Sequence, residues 1–275
     1  MNEVVNKTNQ INGKVYLVGA GPGDVDLLTV KALRLIQSCD VILYDNLVSA
    51  AIRSIFPNGC KKFFVGKSRA DHSIPQHNLN QLMVTLAKRG LSVCRLKGGD
   101  PLIFGRGSEE MLVLHKAGIT TELIPGITAA SGCTSYAGIP LTHRGVSQGC
   151  TFITGHAEKN LDINWSSLAT AGHTLVFYMG LSQLPNIRKK LLENGLAKET
   201  PAALIENGTH QCQRVVTSTL DNLAQDAVAL QLTSPTLIVI GKVVKLREQL
   251  AWFEDLSRNR KSLTTDLNKK SRLSA

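Results

Sequence analysis

Hydrophobic positions alternate between two textures along the chain. Short continuous apolar runs at 14–19 (KVYLVG), 41–44, 62–65, 92–96 and 121–124 predict buried strands. Between them, apolar residues recur at helical spacing over 26–37: Leu27, Leu28, Val30, Leu33, Leu35 and Ile36. Amphipathic stretches at 76–89 and 108–116 run up to Gly90 and Gly118, which read as helix stops. Strands alternating with helices predict a mainly parallel sheet covered on both faces. Residues 125–149 are rich in Gly, Ser and Thr and mark a junction. A second series follows, with strands at 150–154, 174–178, 202–205, 214–218 and 236–240 and helices around 181–194 and 220–228. The fold class is therefore α/β in two domains, 13–126 and 127–255, between a disordered N-terminus (1–12) and a basic disordered tail (256–275).

Composition narrows this only a little. Of 275 residues, 43% are hydrophobic and 19% charged, ordinary globular usage that excludes a wholly disordered or collagen-like chain. No apolar run reaches the ~18 residues of a membrane span, and the first residues lack a signal-peptide pattern. Lys plus Arg is 31 and Asp plus Glu is 21, a net charge of +10. The segment 256–275 holds six basic residues and one acid, which is +5, so the rest is also +5. That balance suits a small polyanionic substrate as well as nucleic acid. Six cysteines, at 39, 60, 94, 133, 150 and 212, show no CxxC or zinc spacing, and the seven histidines do not cluster. They read as reduced cytosolic thiols, and no metal site is expected.

The chemistry-bearing motifs sit just past predicted strands. Gly19-Ala20-Gly21-Pro22-Gly23-Asp24 follows the first. It invites a dinucleotide reading, but Asp24 stands where G-x-G-x-x-G needs glycine, and Pro22 has no N–H to give a phosphate. Structural turn and ligand contact both stay open for it. In the run Leu96 to Gly107, Gly98 and Gly99 let a ligand approach the backbone, and Asp100 can accept from ribose hydroxyls or an amine. Arg106, between two glycines, is either a surface arginine or a guanidinium held for a carboxylate. Asp45 follows the second strand and reads as a ligand carboxylate or as the N-cap of the next helix. Lys67 follows the third and is a solvated lysine or a site cation. Pro125 to Cys133, with Thr128 and Ala129, is built of small residues, and Ile139 to Arg144 adds a cation. Tyr178-Met179-Gly180 and Glu206-Asn207-Gly208-Thr209 close the set, and Met179 alone reads as core. Open α/β sheets bind ligands at the carboxyl ends of their strands, which is where these motifs converge.

In this order the motifs resemble the tetrapyrrole (class III) methyltransferase family. The resemblance runs from about residue 13 to 253 and rests on VGAGPGD (18–24), LYD (43–45), VGK (65–67), RLKGGDP (95–101), IFGRG (103–107), PGITAASGC (125–133), GIPLTHR (138–144), TLVFYMG (174–180) and ENGT (206–209). LYD, FGRG followed by Glu109 and Glu110, and GIPLTHR point to the branch that acts on uroporphyrinogen III. The resemblance implies two α/β domains of the tetrapyrrole methyltransferase type with S-adenosyl-L-methionine in the interdomain cleft, in a cytoplasmic homodimer. It implies cofactor contacts at Pro22, Gly98, Gly99, Asp100, Ile103, Thr128, Ala129, Met179 and Gly208. Asp45 is then the proton acceptor, Lys67 the proton donor, and Arg106 a substrate anchor or base. The implied reaction is C-methylation of a small-molecule tetrapyrrole, uroporphyrinogen III, at C2 and C7. It gives precorrin-1 and then precorrin-2 for sirohaem, cobalamin or haem d1, with no nucleic-acid or membrane partner. The donor leaves as S-adenosyl-L-homocysteine.

Some positions depart from the family pattern. Asn46 replaces an arginine common after LYD, SRADHS follows Lys67 where RAGxH is common, and Ser108 replaces a glycine. No dehydrogenase–ferrochelatase half is expected. Competing readings are a sister methyltransferase on a later corrin precursor or RNA, a dinucleotide-dependent oxidoreductase, and a basic nucleic-acid-binding module.

Overall fold

The computed structural model describes residues 13–66, 74–156 and 163–253. They fall into two units, Met1–Thr128 and Ala129–Ala275.

The first unit alternates strands and helices: β1 (Lys14–Gly19), α1 (Val30–Ser38), β2 (Val41–Tyr44), α2 (Ala50–Ser54), β3 (Lys61–Phe64), α3 (Gln76–Lys88), β4 (Val93–Lys97), α4 (Gly107–Lys116) and β5 (Thr120–Ile124). The strands pair in the order β3-β2-β4-β1-β5, all parallel. Period-two alternation splits the sheet's side chains between two cores. Val15, Leu17, Val41, Leu43 and Val93 pack with Leu79 and Met83 of α3 and Leu114 of α4. Val18, Ile42, Cys94 and Leu96 pack on the other face with Ala32 and Ile36 of α1 and Ile52 of α2.

Strand order locates the ligand edge. From β1 the chain crosses to β2 on one side, and from β4 it crosses past β1 to β5 on the other. The switch point of this sheet therefore lies between β1 and β4, and ligands of open α/β sheets bind beyond the carboxyl ends there.

The second unit contains α5 (Ala129–Ala137), β6 (Cys150–Thr154), α6 (Trp165–Thr170), β7 (Thr174–Tyr178), α7 (Leu184–Glu193), β8 (Pro201–Glu206), β9 (Arg214–Thr219), α8 (Leu223–Ala229), β10 (Thr236–Ile240) and α9 (Arg247–Leu250). Its sheet has the order β6-β7-β10-β8-β9. It is mixed rather than mainly parallel: only β6 and β7 pair parallel, and the other three pairs are antiparallel. The link from β8 to β9, residues 207–213, is too short for a parallel crossover and folds back as a hairpin. Strands β6, β7 and β8 nonetheless share one direction, so Gly155, Met179 and Gly208 lie at one edge of this sheet.

Two further departures have local causes. The helix expected over 26–37 is split. Asp24 accepts from Asp26 N at 3.0 Å to start a 3-10 turn at Val25–Leu27, and Thr29 Oγ1 accepts from Ala32 N at 3.1 Å to cap α1. The Gly/Ser/Thr-rich junction contains a real helix, α5, whose Ala130, Cys133 and Ala137 pack into the second unit's core. Among the described residues, no helix is long and apolar enough to cross a membrane.

Candidate functional site

In the first unit, the loops after β1, β4 and β5 are locked together by backbone. Gly21 N donates to Gly99 O at 3.2 Å, and Gly99 N donates to Gly21 O at 2.7 Å. Both residues have positive φ, +70° and +69°. A Cβ on Gly126 would stand 2.4 Å from Gly99 O and 2.8 Å from Gly19 Cα, so glycine is required for three chains to meet. Pro22 follows this junction. The loop does not open into a helix as a dinucleotide fingerprint must, because α1 begins only at Val30. The oxidoreductase reading loses its structural context there.

Asp100 uses both carboxylate oxygens inside the same junction. Oδ1 accepts from Leu102 N at 2.8 Å and Oδ2 from Gly126 N at 3.1 Å. It is a brace between the β4 and β5 loops, which the sequence reading of a ribose or amine acceptor did not foresee. Gly98 lies against Leu47, whose Cβ would be 2.4 Å from an added Cβ. Beyond it Leu102, Ile103 and Phe104 present apolar side chains to solvent, with Ile103 37% exposed.

Asp45 stands just past β2. Its Oδ1 accepts from Leu47 N at 3.1 Å and its Oδ2 from Arg95 Nη2 at 3.2 Å, and the side chain is 23% exposed. The helix-cap alternative is taken by Ser49, whose Oγ accepts from Ile52 N at 3.2 Å to cap α2. Arg106 has left-handed backbone, φ +58°, at the start of α4. Its guanidinium grips Glu109 with two bonds, Nε to Oε1 at 2.9 Å and Nη2 to Oε2 at 2.6 Å. That grip holds the Glu109 carboxyl below its usual range. Lys67 lies outside the described residues.

In the second unit, Met179 follows β7 with φ +53° and a 55% exposed side chain. This corrects the core reading of its sequence position. Gly208 sits between Asn207 and Thr209, themselves at φ +48° and +69°. A Cβ on Gly208 would be 2.4 Å from Cys133 Sγ, so this loop packs directly on α5. Burial pushes the Cys133 thiol up to about 12, so it acts as an apolar packing atom. Ala129 opens α5 and Thr128 precedes it. Tyr178, the last residue of β7, accepts at its hydroxyl from Ala130 N at 2.9 Å and so caps this helix beside Met179.

Of the six non-glycine residues described with positive φ, five lie in these loops: Phe104, Arg106, Met179, Asn207 and Thr209. Backbone strain of this kind concentrates at ligand sites. The sequence reading gave no role to Arg95 and Lys97, both 5% exposed, and knew fully buried Glu110 only as part of a motif. Their one signal is the spacing of two cations two apart within an apolar strand (VCRLK).

The chain matches the Tetrapyrrole (Corrin/Porphyrin) Methylases over residues 14–224. It belongs to that family of methyltransferases. It is 55% identical over 243 residues, 88% of its length, to the siroheme synthase of Stutzerimonas stutzeri (strain A1501), and spans about half, 52%, of that relative's length. The siroheme synthase of Pseudomonas fluorescens (strain Pf0-1) matches to the same extent. Among solved structures, it is similar to a uroporphyrin-III C-methyl transferase from Thermus thermophilus complexed with S-adenyl homocysteine. That similarity has TM-score 0.74 and 36% identity, covering 85% of this chain and 100% of the other. A cobalt precorrin-4 methyltransferase is similar at TM-score 0.76 and 25% identity, covering 84% of this chain and 95% of the other.

Proposed function

We propose that this chain transfers two methyl groups from S-adenosyl-L-methionine to uroporphyrinogen III, at C2 and then C7, giving precorrin-1 and precorrin-2 on the way to siroheme. The observation that carries the reading is the end-to-end similarity to a uroporphyrin-III C-methyl transferase with the demethylated donor bound. The precorrin-4 enzyme matches the fold equally well but at lower identity, which favours uroporphyrinogen III over a later corrin precursor. A cytoplasmic homodimer is part of the proposal through the family resemblance.

The residues suit the donor's chemistry. The candidate loops offer the exposed apolar side chains of Ile103 and Met179, small residues, and strained backbone. A thioether and aliphatic wall fits a sulfonium and a nucleoside better than a phosphate cradle does. Pro22, Gly98, Gly99, Asp100, Ile103 and Thr128 from the first unit, with Ala129, Met179 and Gly208 from the second, would hold it. When bound, S-adenosylmethionine supplies an electrophilic methyl and leaves as S-adenosylhomocysteine. The nucleophile is an electron-rich pyrrole carbon, so the macrocycle gains positive charge as the new bond forms and must then lose a proton. Asp45, anchored and partly exposed, stabilises that charge and takes the proton. Arg106, with Glu109 setting its fork, anchors a substrate carboxylate. A guanidinium stays protonated and has no free lone pair, so it does not serve as proton acceptor. Lys67 is proposed as proton donor on the resemblance alone.

The test is anaerobic incubation of the chain with labelled S-adenosylmethionine and enzymatically generated uroporphyrinogen III, with methyls counted by mass spectrometry. Two methyls on the macrocycle, lost with Asp45→Ala, are expected. Donor binding without transfer would move the substrate to a later precursor, and no donor binding would overturn the reading.

A further inference from the structure

Asp45 is tied into a buried charged cluster that the proposed chemistry, on which this inference rests, leaves unused. Arg95 and Lys97 occupy alternate positions of β4 and reach toward α3 and α4. Glu110 of α4 is fully buried and accepts from Lys97 Nζ at 3.0 and 3.1 Å, from Arg95 Nε at 3.4 Å and from Gln76 Nε2 at 3.1 Å. Gln76 also donates to buried Asn80 Oδ1 at 3.1 Å. Arg95 completes its fork with Nη1 on Leu96 O at 2.9 Å and Nη2 on Asp45 Oδ2 at 3.2 Å. Two cations and two carboxylates thus balance, with Asp45 the member at the surface.

Such a layer is costly. Apolar side chains of the same volume would fill it as well or better, so stability does not account for it. Burial and the neighbouring Arg95 cation push the Lys97 ammonium below its usual range, while Glu110 beside it pulls the other way. What the cluster achieves is geometric. With Nε and Nη1 engaged by Glu110 and Leu96, the guanidinium has one orientation left, and its remaining edge faces Asp45.

We propose that Arg95, fixed by Glu110, is a positioning residue for Asp45. It sets the plane of the carboxylate and holds it there for the macrocycle proton. Leu47 N holds Oδ1 and Arg95 holds Oδ2, so the carboxylate cannot rotate away, while each oxygen keeps a second lone pair for the proton. Glu110 acts one step further back, by holding Arg95.

A double-mutant cycle on the full chain tests this. Arg95→Gln, Asp45→Asn and the double variant are compared by kcat and KM for uroporphyrinogen III, S-adenosylhomocysteine affinity by calorimetry, and melting temperature. Arg95→Gln leaves Lys97 and Glu110 paired. It is expected to lower kcat roughly 10- to 100-fold, with nucleoside affinity near wild type and a lower melting temperature, since Glu110 and Asp45 lose a cation. In the Asp45→Asn background the same change is expected to cost less than about twofold, because its effect is exerted through Asp45. Arg95→Lys, which keeps the charge but not the fork, should restore part of kcat, and it carries the same cycle if Arg95→Gln does not accumulate folded. Equal losses in both backgrounds, or an unchanged kcat, would overturn the proposal. Full activity in Asp45→Asn would overturn it through the proton-acceptor assignment while leaving methyl transfer standing. A wild-type chain that transfers no methyl would instead sink the function itself, and this inference with it.

Discussion

At Gly126 the required conformation is set by crowding rather than by φ. Its Cα lies where the β1 and β4 loops pass, and an added methyl would meet Gly99 O at 2.4 Å and Gly19 Cα at 2.8 Å. Both obstacles are backbone, which cannot swing aside as a side chain would. Gly126→Ala is therefore expected to cost about 1–3 kcal/mol of unfolding free energy, the usual range for overpacking. Its N–H also braces Asp100, so the loop after β4 is disturbed with it. Gly59→Ala is the control, since an added Cβ there meets nothing within 4 Å. Urea unfolding of the two variants should separate them clearly. Equal midpoints would mean the three loops are looser than their contacts imply. The same crowding gives the motif's glycines a structural reason. Glycine after a strand signals close approach, but the approaching group at Gly19 and Gly126 is the protein's own chain, and at Gly208 it is Cys133.

The β8–β9 hairpin ends in a carboxylate that titrates with the fold. Glu206, 3% exposed, accepts from Thr233 N at 2.6 Å and Thr233 Oγ1 at 2.8 Å and from the Arg214 guanidinium. Burial alone would raise its pKa. The donors from Arg214 and Thr233 outweigh burial and bring it below the usual value. A depressed folded pKa means stability that is complete above the unfolded value, about 4.3, and is lost as pH falls through the folded one. Wild type should therefore melt higher than Glu206→Gln by a constant margin from neutral pH down to about 5, and that margin should shrink as pH falls below about 4. A margin that stays constant down to about pH 3 would show that Glu206 does not titrate with folding.

The elements themselves were unevenly legible. Strands β1, β2, β7 and β10 end where their apolar runs end, because each carries buried side chains on both faces and the run is the signal. Helix α5 was hidden because AASGCTSYA has weak propensity. It forms because small side chains let it pack close to its core and because Tyr178 caps it from another element. The antiparallel pairs of the second sheet were likewise unreadable, since strand direction is set by connections rather than by periodicity. At the site, Asp45 was placed by its position after a strand. Its partner Arg95 lies fifty residues on, and only the parallel pairing of β2 with β4 brings the two together.

For the whole molecule, the question is what +10 does. The proposed substrate, uroporphyrinogen III, carries eight carboxylates, so a basic surface near the site would raise its encounter rate, and salt would lower that rate again. Screening limits the effect to charges within about 10 Å at 0.1 M salt, so local cations should matter more than net charge. Arg144, exposed in its loop, and Arg106, 56% exposed at its side chain, are the exposed cations among the described motif residues, Arg95 and Lys97 being buried. Replacing Arg106 leaves Glu109 unbalanced, so the pair goes from neutral to a net negative charge. kcat/KM for uroporphyrinogen III is therefore expected to fall several-fold as salt rises from about 0.05 to 0.5 M, while affinity for S-adenosylhomocysteine, which gains nothing from anion steering, changes little. Arg106→Gln and Arg144→Gln should flatten that slope. Deleting 256–275, which removes as much net charge as the remaining chain carries, should leave most of it in place. The opposite pattern, with the slope vanishing only on deletion, would show that the basic segment gathers the substrate and that the loop arginines do not.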